Sequence, residues 1–540
     1  MPLALLLAAI LVVSGIWYTV FFMFLRRHVC SVPGPFPLPL IGNWLNAISG
    51  SSFTLEPKSE EPLVCYWLGT LGMRPYVFVR DPEIVRVMAR EQRDTFVDRG
   101  DRSIAGFLAG DSQDSVITSR GELAIRQRRV IAPALGDPAV LDDYLNASET
   151  ASAKLIHRLK NGDMDGCPYH LPQAVTEDPA DRQRSVNASE IIYEHLVRIG
   201  EGSLLGFHDS VDDERFHQGQ ECQRKDDSFS VLSRIASLPL MPAKWWCRLS
   251  AAPIIRWLSG AKEANQMIQD HRDILLKQWK QTVDSRASTP LLRRLLVHRN
   301  KELADEESVV SVDRRMVSNM VAISNGSSKS EAAIVTFILL ELAKRPELQT
   351  RLVNEFREAQ QVNQAITFDH LRDLPLTKAV CDEAFRMIPA FPVFSKITEH
   401  GTHLGGFYIG KGVDTVIRVR TIQRDPKYWS QPNQFLPERH LGQAAIDQTS
   451  FTFIPFGIGR RKCPGQLLAR AGVCMSLFQV LSALEVRLAD DHVAPKHLMS
   501  LSISNDRPAR LAFFDRPGPV AKSMVVETAA VCPLDVHNRI

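Results

Sequence analysis

The chain has 540 residues, with 64 Lys and Arg against 61 Asp and Glu and a formal net charge of +3. That balance excludes a large sequence-independent grip on nucleic acid, which needs a strongly basic face. Hydrophobic residues at 45% and charged residues at 23% are ordinary globular usage, which excludes disorder over most of the chain.

The first element is an uncharged run from Leu3 to Leu25. As a helix it spans roughly 34 Å, enough to cross a ~30 Å hydrocarbon core. Arg26, Arg27 and His28 follow at once, and no basic side chain precedes the run. A secretory signal carries its charge first and ends in a small-residue cleavage site. Residues 3–25 are therefore expected to be a transmembrane anchor, with Arg26, Arg27 and the body on the cytosolic side. The prolines of residues 33–39, Pro33-Gly34-Pro35-Phe36-Pro37-Leu38-Pro39, exclude helix and predict a stiff, extended hinge that spaces the body from the bilayer.

Short strands are expected between about Leu40 and Arg80, as in Val64-Cys65-Tyr66-Trp67-Leu68 and Tyr76-Val77-Phe78-Val79. Helical patterns dominate from Asp81 to about Leu374, around a polar loop or insertion from Asp163 to Ser189. Within the apolar helical stretch 314–344, the polar run Asn325-Gly326-Ser327-Ser328-Lys329-Ser330 is costly in a buried helix, because Gly and Ser weaken it, and it suggests either a functional role or a simple kink. Strand-like pieces return near Leu404 to Val419, and residues 517–540 read as a loose tail. The nine cysteines are odd in number and form no CxxC pair, which fits a reducing compartment.

One cysteine stands in an informative setting: Phe453-Ile454-Pro455-Phe456-Gly457-Ile458-Gly459-Arg460-Arg461-Lys462-Cys463-Pro464-Gly465, just before an apolar helix. Gly457, Gly459 and Gly465 allow positive φ or close approach of the backbone to a flat, bulky group. Adjacent cations and a helix N-terminus favour the thiolate of Cys463, a good iron ligand. A structural cysteine in a basic turn is the alternative for such a residue taken alone.

Phe456-x-x-Gly459-x-Arg461-x-Cys463-x-Gly465 resembles the haem-binding signature of the cytochrome P450 family. Glu383-x-x-Arg386 resembles that family's buried Glu-x-x-Arg, and Phe435-x-Pro437-Glu438-Arg439 resembles the segment whose arginine completes the charge network. The resemblance covers roughly residues 33–516. It implies a mainly α fold with a small β region, preceded by the single N-terminal transmembrane helix, with residues 40–516 as one catalytic domain. It further implies haem b with Cys463 as axial metal ligand, and Phe456, Gly457, Gly459, Gly465, Arg461, Arg128 and Lys396 as cofactor-binding residues. Glu383, Arg386 and Arg439 would form a structural network. Ile104, Phe107, Leu108, Val393 and Phe394 would line a pocket for a lipophilic substrate. Arg126, Arg129, Arg460 and Lys462 would form a basic face for an acidic electron donor.

The chain also departs from the family pattern. Where an acid and a threonine are usual, Lys329 and Ser330 stand as candidate catalytic residues, with Glu331 about 100° further round the helix. Ala124 stands where a tryptophan is common, and Lys396 where an arginine is usual. The reading favoured by the resemblance is a monooxygenase of the endoplasmic reticulum membrane. It takes electrons from NADPH through a separate cytochrome P450 reductase, because no GxGxxG nucleotide fingerprint follows a strand. A haem-thiolate isomerase or dehydratase independent of a reductase, and an inactive haem-binding lipid carrier, remain as alternatives.

Overall fold

The computed structural model describes residues 2–38, 42–43, 48–49, 54–55, 59–68, 74–99, 115–117, 119–161, 185–204, 273, 275–277, 279–281, 283, 289–304, 308–362, 366–442, 451–490, 492–494, 497–499, 503–505 and 509–516. The pocket residues Ile104, Phe107 and Leu108, most of the Asp163–Ser189 loop and the tail 517–540 lie outside the described residues.

Helix α1 runs Pro2–His28, with Arg26, Arg27 and His28 in its last turn, where cations suit the helix dipole. Its outer side carries exposed Val12, Ile16, Val20 and Phe24. The opposite side docks on the body. Tyr18 donates to the carbonyl of Pro37 at 3.3 Å, and Phe22 meets Phe36 and Trp67 edge-on at 4.8 and 5.2 Å. The proline-rich segment is non-helical, as its composition requires, but it does not stand clear of the body. The Cys65 N–H donates to the Pro33 carbonyl at 2.8 Å, so the segment lies against the sheet. Val32, just ahead of the segment, shares one buried apolar cluster with Phe22 and Trp67.

The short pair β1 (Ile48–Ser49) and β2 (Thr54–Leu55) precedes the main sheet. That sheet has the order β3 (Leu63–Leu68), β4 (Arg74–Val79), β9 (Asp414–Ile417), β6 (Phe394–Ile397). Only the β4–β9 pairing is parallel. β7 (Thr402–Leu404) and β8 (Phe407–Ile409) form a separate hairpin. Helix α2 (Pro82–Ala89) is started by Asp81, whose carboxylate accepts from the Glu83 and Ile84 N–H groups, and by Pro82 at its first position.

The helical core is built from α3 (Gly121–Leu135), α4 (Pro138–Asn161), α5 (Ala188–Ile199), α6 (Pro290–Ala304), α7 (Val309–Ala343), α8 (Pro346–Val362), α9 (Pro375–Met387) and α10 (Gln466–Ala483). Helix α10 is apolar enough to cross a bilayer, yet most of it is enclosed by α4, α7, α8 and α9, as befits a core helix. A second sheet, β10 (Leu484–Leu488), β13 (Arg510–Asp515) and β5 (Ser185–Asn187), closes one side, and β11 (His497–Met499) pairs with β12 (Ile503–Asn505).

Helix α7 is continuous through the polar run 325–330, as the helical reading of 314–344 expects. Its serine hydroxyls fold back on the helix. Ser327 and Ser328 donate to the Ser324 carbonyl at 3.1 Å each, and Ser330 donates to the Gly326 carbonyl at 2.5 Å. Bonds of this kind satisfy the three hydroxyls within the helix.

Candidate active site

The cysteine loop reaches α10 through two glycines in the left-handed region, Gly457 at φ 78° and Gly459 at φ 60°. A side chain at either position would be strained, and between them they turn the chain back so that the Cys463 N–H donates to the Phe456 carbonyl at 2.8 Å. Gly465, unlike these two, does not take positive φ. Its φ is −93°, and it serves as the residue that opens α10, with its N–H donating to the Cys463 sulfur. Phe456 is half-buried, stacked at a tilt against Phe385 with centroids 4.9 Å apart.

Among the described cysteines Cys463 is the exposed one; Cys30, Cys65, Cys381 and Cys474 are buried. It lies deep among protein atoms while its own surface stays accessible, a combination that a concave site gives. The sequence led us to expect a favoured thiolate, and the structure corrects this. Burial pushes the thiol's pKa up, and the Gly465 N–H, Arg128 and Arg99 pull it down by less. Depth in the fold is invisible in a local motif, and here it outweighs the neighbouring charge. A bound cation reverses this, since coordination deprotonates a thiol outright.

Three segments distant in sequence bring cations together beside this loop. Arg128 on α3 donates to the carbonyls of Arg460, at 3.0 Å, and Lys462, and so clamps the loop. Arg461 is buried and donates to the Ser119 and Ile117 carbonyls at 2.9 and 3.1 Å. Lys396 on β6 is 3% exposed, and its Nζ has no hydrogen-bond partner among the described residues. Burial and the nearby Arg99, Arg461 and Arg128 push its pKa down to about 7, while Arg461 is pushed down to about 9 and Arg128 to about 10, burial again leading. Asp98 is the opposing carboxylate, 3.6 Å from Arg461. Arg99 and Asp98 were not singled out from the sequence. No local pattern marks them, because they meet partners some three hundred residues away.

On α7, Lys329 and Ser330 are both half-buried. The Ser330 hydroxyl proton is directed into its own helix, at the Gly326 carbonyl or, at 3.2 Å, the Ser327 carbonyl, which leaves its lone pairs for a ligand. Glu331 points elsewhere, into the core between α4 and α10. Of the pocket residues, Phe394 reaches the loop, its ring within 3.9 Å of where a side chain at Gly457 would begin. Val393 packs on the sheet cluster of Val64, Tyr66, Leu68, Tyr76, Phe78 and Val416. Ala124, at the usual tryptophan position, is fully buried.

The structure brings Glu383, Arg386 and Arg439 together. Arg386 pairs with both Glu383 oxygens at 2.8 and 2.9 Å, and Arg439 reaches Glu383 at 3.2 Å. Two partners were missed. His440 lies 2.9 Å from Glu383, and the Leu436 N–H donates to it at 2.9 Å. Burial pushes Glu383 upward, but Arg386 and His440 outweigh it and hold its pKa at about 2. The four-residue basic face is only partly assembled. Arg129 and Lys462 are exposed, whereas Arg460 pairs with Asp94 at 2.8 Å and Arg126 turns inward to Glu302 at 3.5 Å. Buried Glu302 attracts Arg126 more strongly than water-screened surface does.

An accessible cysteine at the foot of a buried helix, reached through a glycine-turned loop and flanked by buried cations, suits an iron–thiolate centre. The sequence model described as Cytochrome P450 matches residues 32–166 and 217–512, and the chain belongs to that family. It is similar to cytochrome P450 3A18 of Rattus norvegicus, 22% identical over 498 residues that cover 92% of each chain. It is also similar to trans-cinnamate 4-monooxygenases, 25% identical to that of Helianthus tuberosus and 24% to that of Zinnia elegans, each over 81% of this chain and 83% of the relative. The chain is accordingly an oxidoreductase of the P450 monooxygenase kind, and membership implies a haem-thiolate iron. The cation cluster fits that group. The Lys396 ammonium, crowded by Arg99, Arg128 and Arg461 and without a hydrogen-bond partner among the described residues, would suit an anion such as a haem propionate.

Proposed function

We propose that the protein inserts one oxygen atom from O2 into a lipophilic substrate, such as a sterol, terpenoid, fatty acid or other secondary metabolite, with NADPH electrons delivered by a separate reductase. When bound, the haem supplies the activation of dioxygen. This chain's residues do the rest. Cys463 would hold the iron through its thiolate, Arg128 clamps its loop, and Lys396, Arg461 and Arg128 would neutralise the propionates. Ser330 would offer its lone pairs to a ligand. The observation that carries this reading is the accessible Cys463 beside the partnerless Lys396 ammonium. Exposed Arg129 and Lys462 suit an acidic electron donor, with Arg460 joining when its exposed pair with Asp94 opens.

One observation favours a second reading. Lys329 stands where an acid is usual, and the Ser330 proton is committed to its own helix, which suits an isomerase or dehydratase acting on an already oxygenated substrate. Turnover of a lipophile panel, with and without NADPH and reductase, separates the two. Product only with both supports the monooxygenase. Product without either supports the isomerase, and binding without product in any condition supports an inactive carrier.

We also propose that α1 anchors the protein in the endoplasmic reticulum membrane with the body in the cytosol. Its outward Val12, Ile16, Val20 and Phe24 support this. Deleting residues 2–17 spares the docked Tyr18 and Phe22. The shortened protein is expected in the soluble fraction, and persistence in the membrane pellet would contradict the anchor.

A further inference from the structure

Glu331 follows Lys329 and Ser330 directly on α7 but serves another junction. Its side chain is buried, and the Tyr144 hydroxyl of α4 donates to its Oε2 at 2.8 Å, while Oε1 has no hydrogen-bond partner. On α10 the same carboxyl rests on Gly472. A Cβ there would stand 2.4 Å from Glu331 Oε2 and 2.9 Å from the Tyr144 oxygen, so no larger residue fits. A glycine inside a helix is destabilising relative to alanine, and a buried acid with one partner is destabilising relative to an apolar side chain. Both costs fall at one contact, where the carboxyl leaves room only for the glycine. Such paired departures from good packing are expected where function sets the geometry.

The helices that meet here are those that frame the site. Helix α7 carries Ser327–Ser330, and α10 hangs directly from the Cys463 loop. We propose that Glu331 is a positioning residue: its carboxyl, seated on Gly472 and held by Tyr144, fixes where the Ser327–Ser330 segment of α7 stands relative to Cys463. The inference rests on Cys463 as axial ligand. Burial pushes the Glu331 pKa up to about 8, against the Tyr144 hydrogen bond, so the group sits neutral in its seat at pH 7. The titratable groups that act on it are Tyr144, itself pushed well up by burial, and Cys463, whose thiol feels the Glu331 charge.

The test reads the reduced carbon monoxide spectrum of the haem-loaded, full-length protein without substrate, so an error in the substrate class leaves it untouched. Gly472→Ala is expected to lose the red-shifted thiolate band, and adding Glu331→Ala is expected to restore it by removing the group that clashes. Glu331→Gln should keep the band at pH 7 and abolish the change that the wild type shows as pH rises through about 8. An intact band in Gly472→Ala, or a double variant that folds without recovering it, overturns the proposal. If Gly472→Ala does not fold, the pH comparison decides, and identical profiles for wild type and Glu331→Gln overturn it. A wild type without the band at any pH overturns the ligand assignment first, and this inference with it.

Discussion

Two buried ionic clusters lie in one body and have opposite characters. Around Glu383 the charges are closed. Arg386, Arg439, His440 and the Leu436 N–H all converge on one carboxylate, and Arg386 also donates to the Gln423 and Pro432 carbonyls at 2.8 and 2.9 Å. Around Lys396 they are open, with Arg99, Arg128 and Arg461 crowding an ammonium that has no partner. The first cluster is complete within the chain and holds α9 to the segment ahead of the cysteine loop. The second leaves Lys396 without a hydrogen-bond partner among the described residues, with Asp98 as the opposing carboxylate, and would suit an added anion. A closed network fits architecture, and an open one fits a binding site.

Breaking each cluster should therefore change stability in opposite directions. Glu383→Gln should give the largest loss, ~3–5 kcal/mol, since it leaves buried Arg386 and half-buried Arg439 without their carboxylate, and chemical denaturation would read it as a lower midpoint. Lys396→Met should do the reverse in the haem-free protein and raise its melting temperature, because it removes a buried, partnerless cation from the repulsion of three arginines. The same variant should lose haem faster than wild type in a transfer assay, while Lys396→Arg should retain it. Equal destabilisation by Glu383→Gln and Lys396→Met without haem would erase the contrast.

The pH dependence sharpens it further. Glu383 has a folded pKa of about 2, below its ordinary 4.5, so its contribution is full above 4.5 and lost as pH falls through about 2. Lys396 is depressed from 10.5 to about 7, so between those values the unfolded chain binds more protons and haem-free stability rises with pH. Glu331 is raised from 4.5 to about 8, so its share of stability falls across that window and levels off above it. Denaturation midpoints of Glu331→Gln against pH should lack that downward slope. The smallest effect belongs to the surface. Arg460→Ala breaks an exposed pair with Asp94 worth ~0–1 kcal/mol, and should alter stability little while slowing electron delivery in a salt-dependent way.

The cysteine loop was legible in the sequence because its constraints are local: glycines at positive φ and a cysteine ahead of a helix lie within a dozen residues. Arg128, Lys396 and Arg461 could be gathered only through the family resemblance, and Arg99, Asp98 and His440 escaped because only folding brings them near. The helix of α7 was legible from its apolar pattern, but the serine back-bonding to Ser324 and Gly326 was not, because it is a choice of rotamer, not of composition. The thiol of Cys463 was misjudged for a related reason: the sequence displays its cationic neighbours and hides its depth.

The central claim is that Cys463 is the thiolate ligand of a haem. The most direct measurement is the carbon monoxide difference spectrum of the reduced protein, wild type beside Cys463→Ser. A strongly red-shifted Soret band in the wild type, absent from Cys463→Ser that folds and still binds haem, is the predicted result. A folded, haem-loaded wild type without that band, or a variant that keeps it, would contradict the claim.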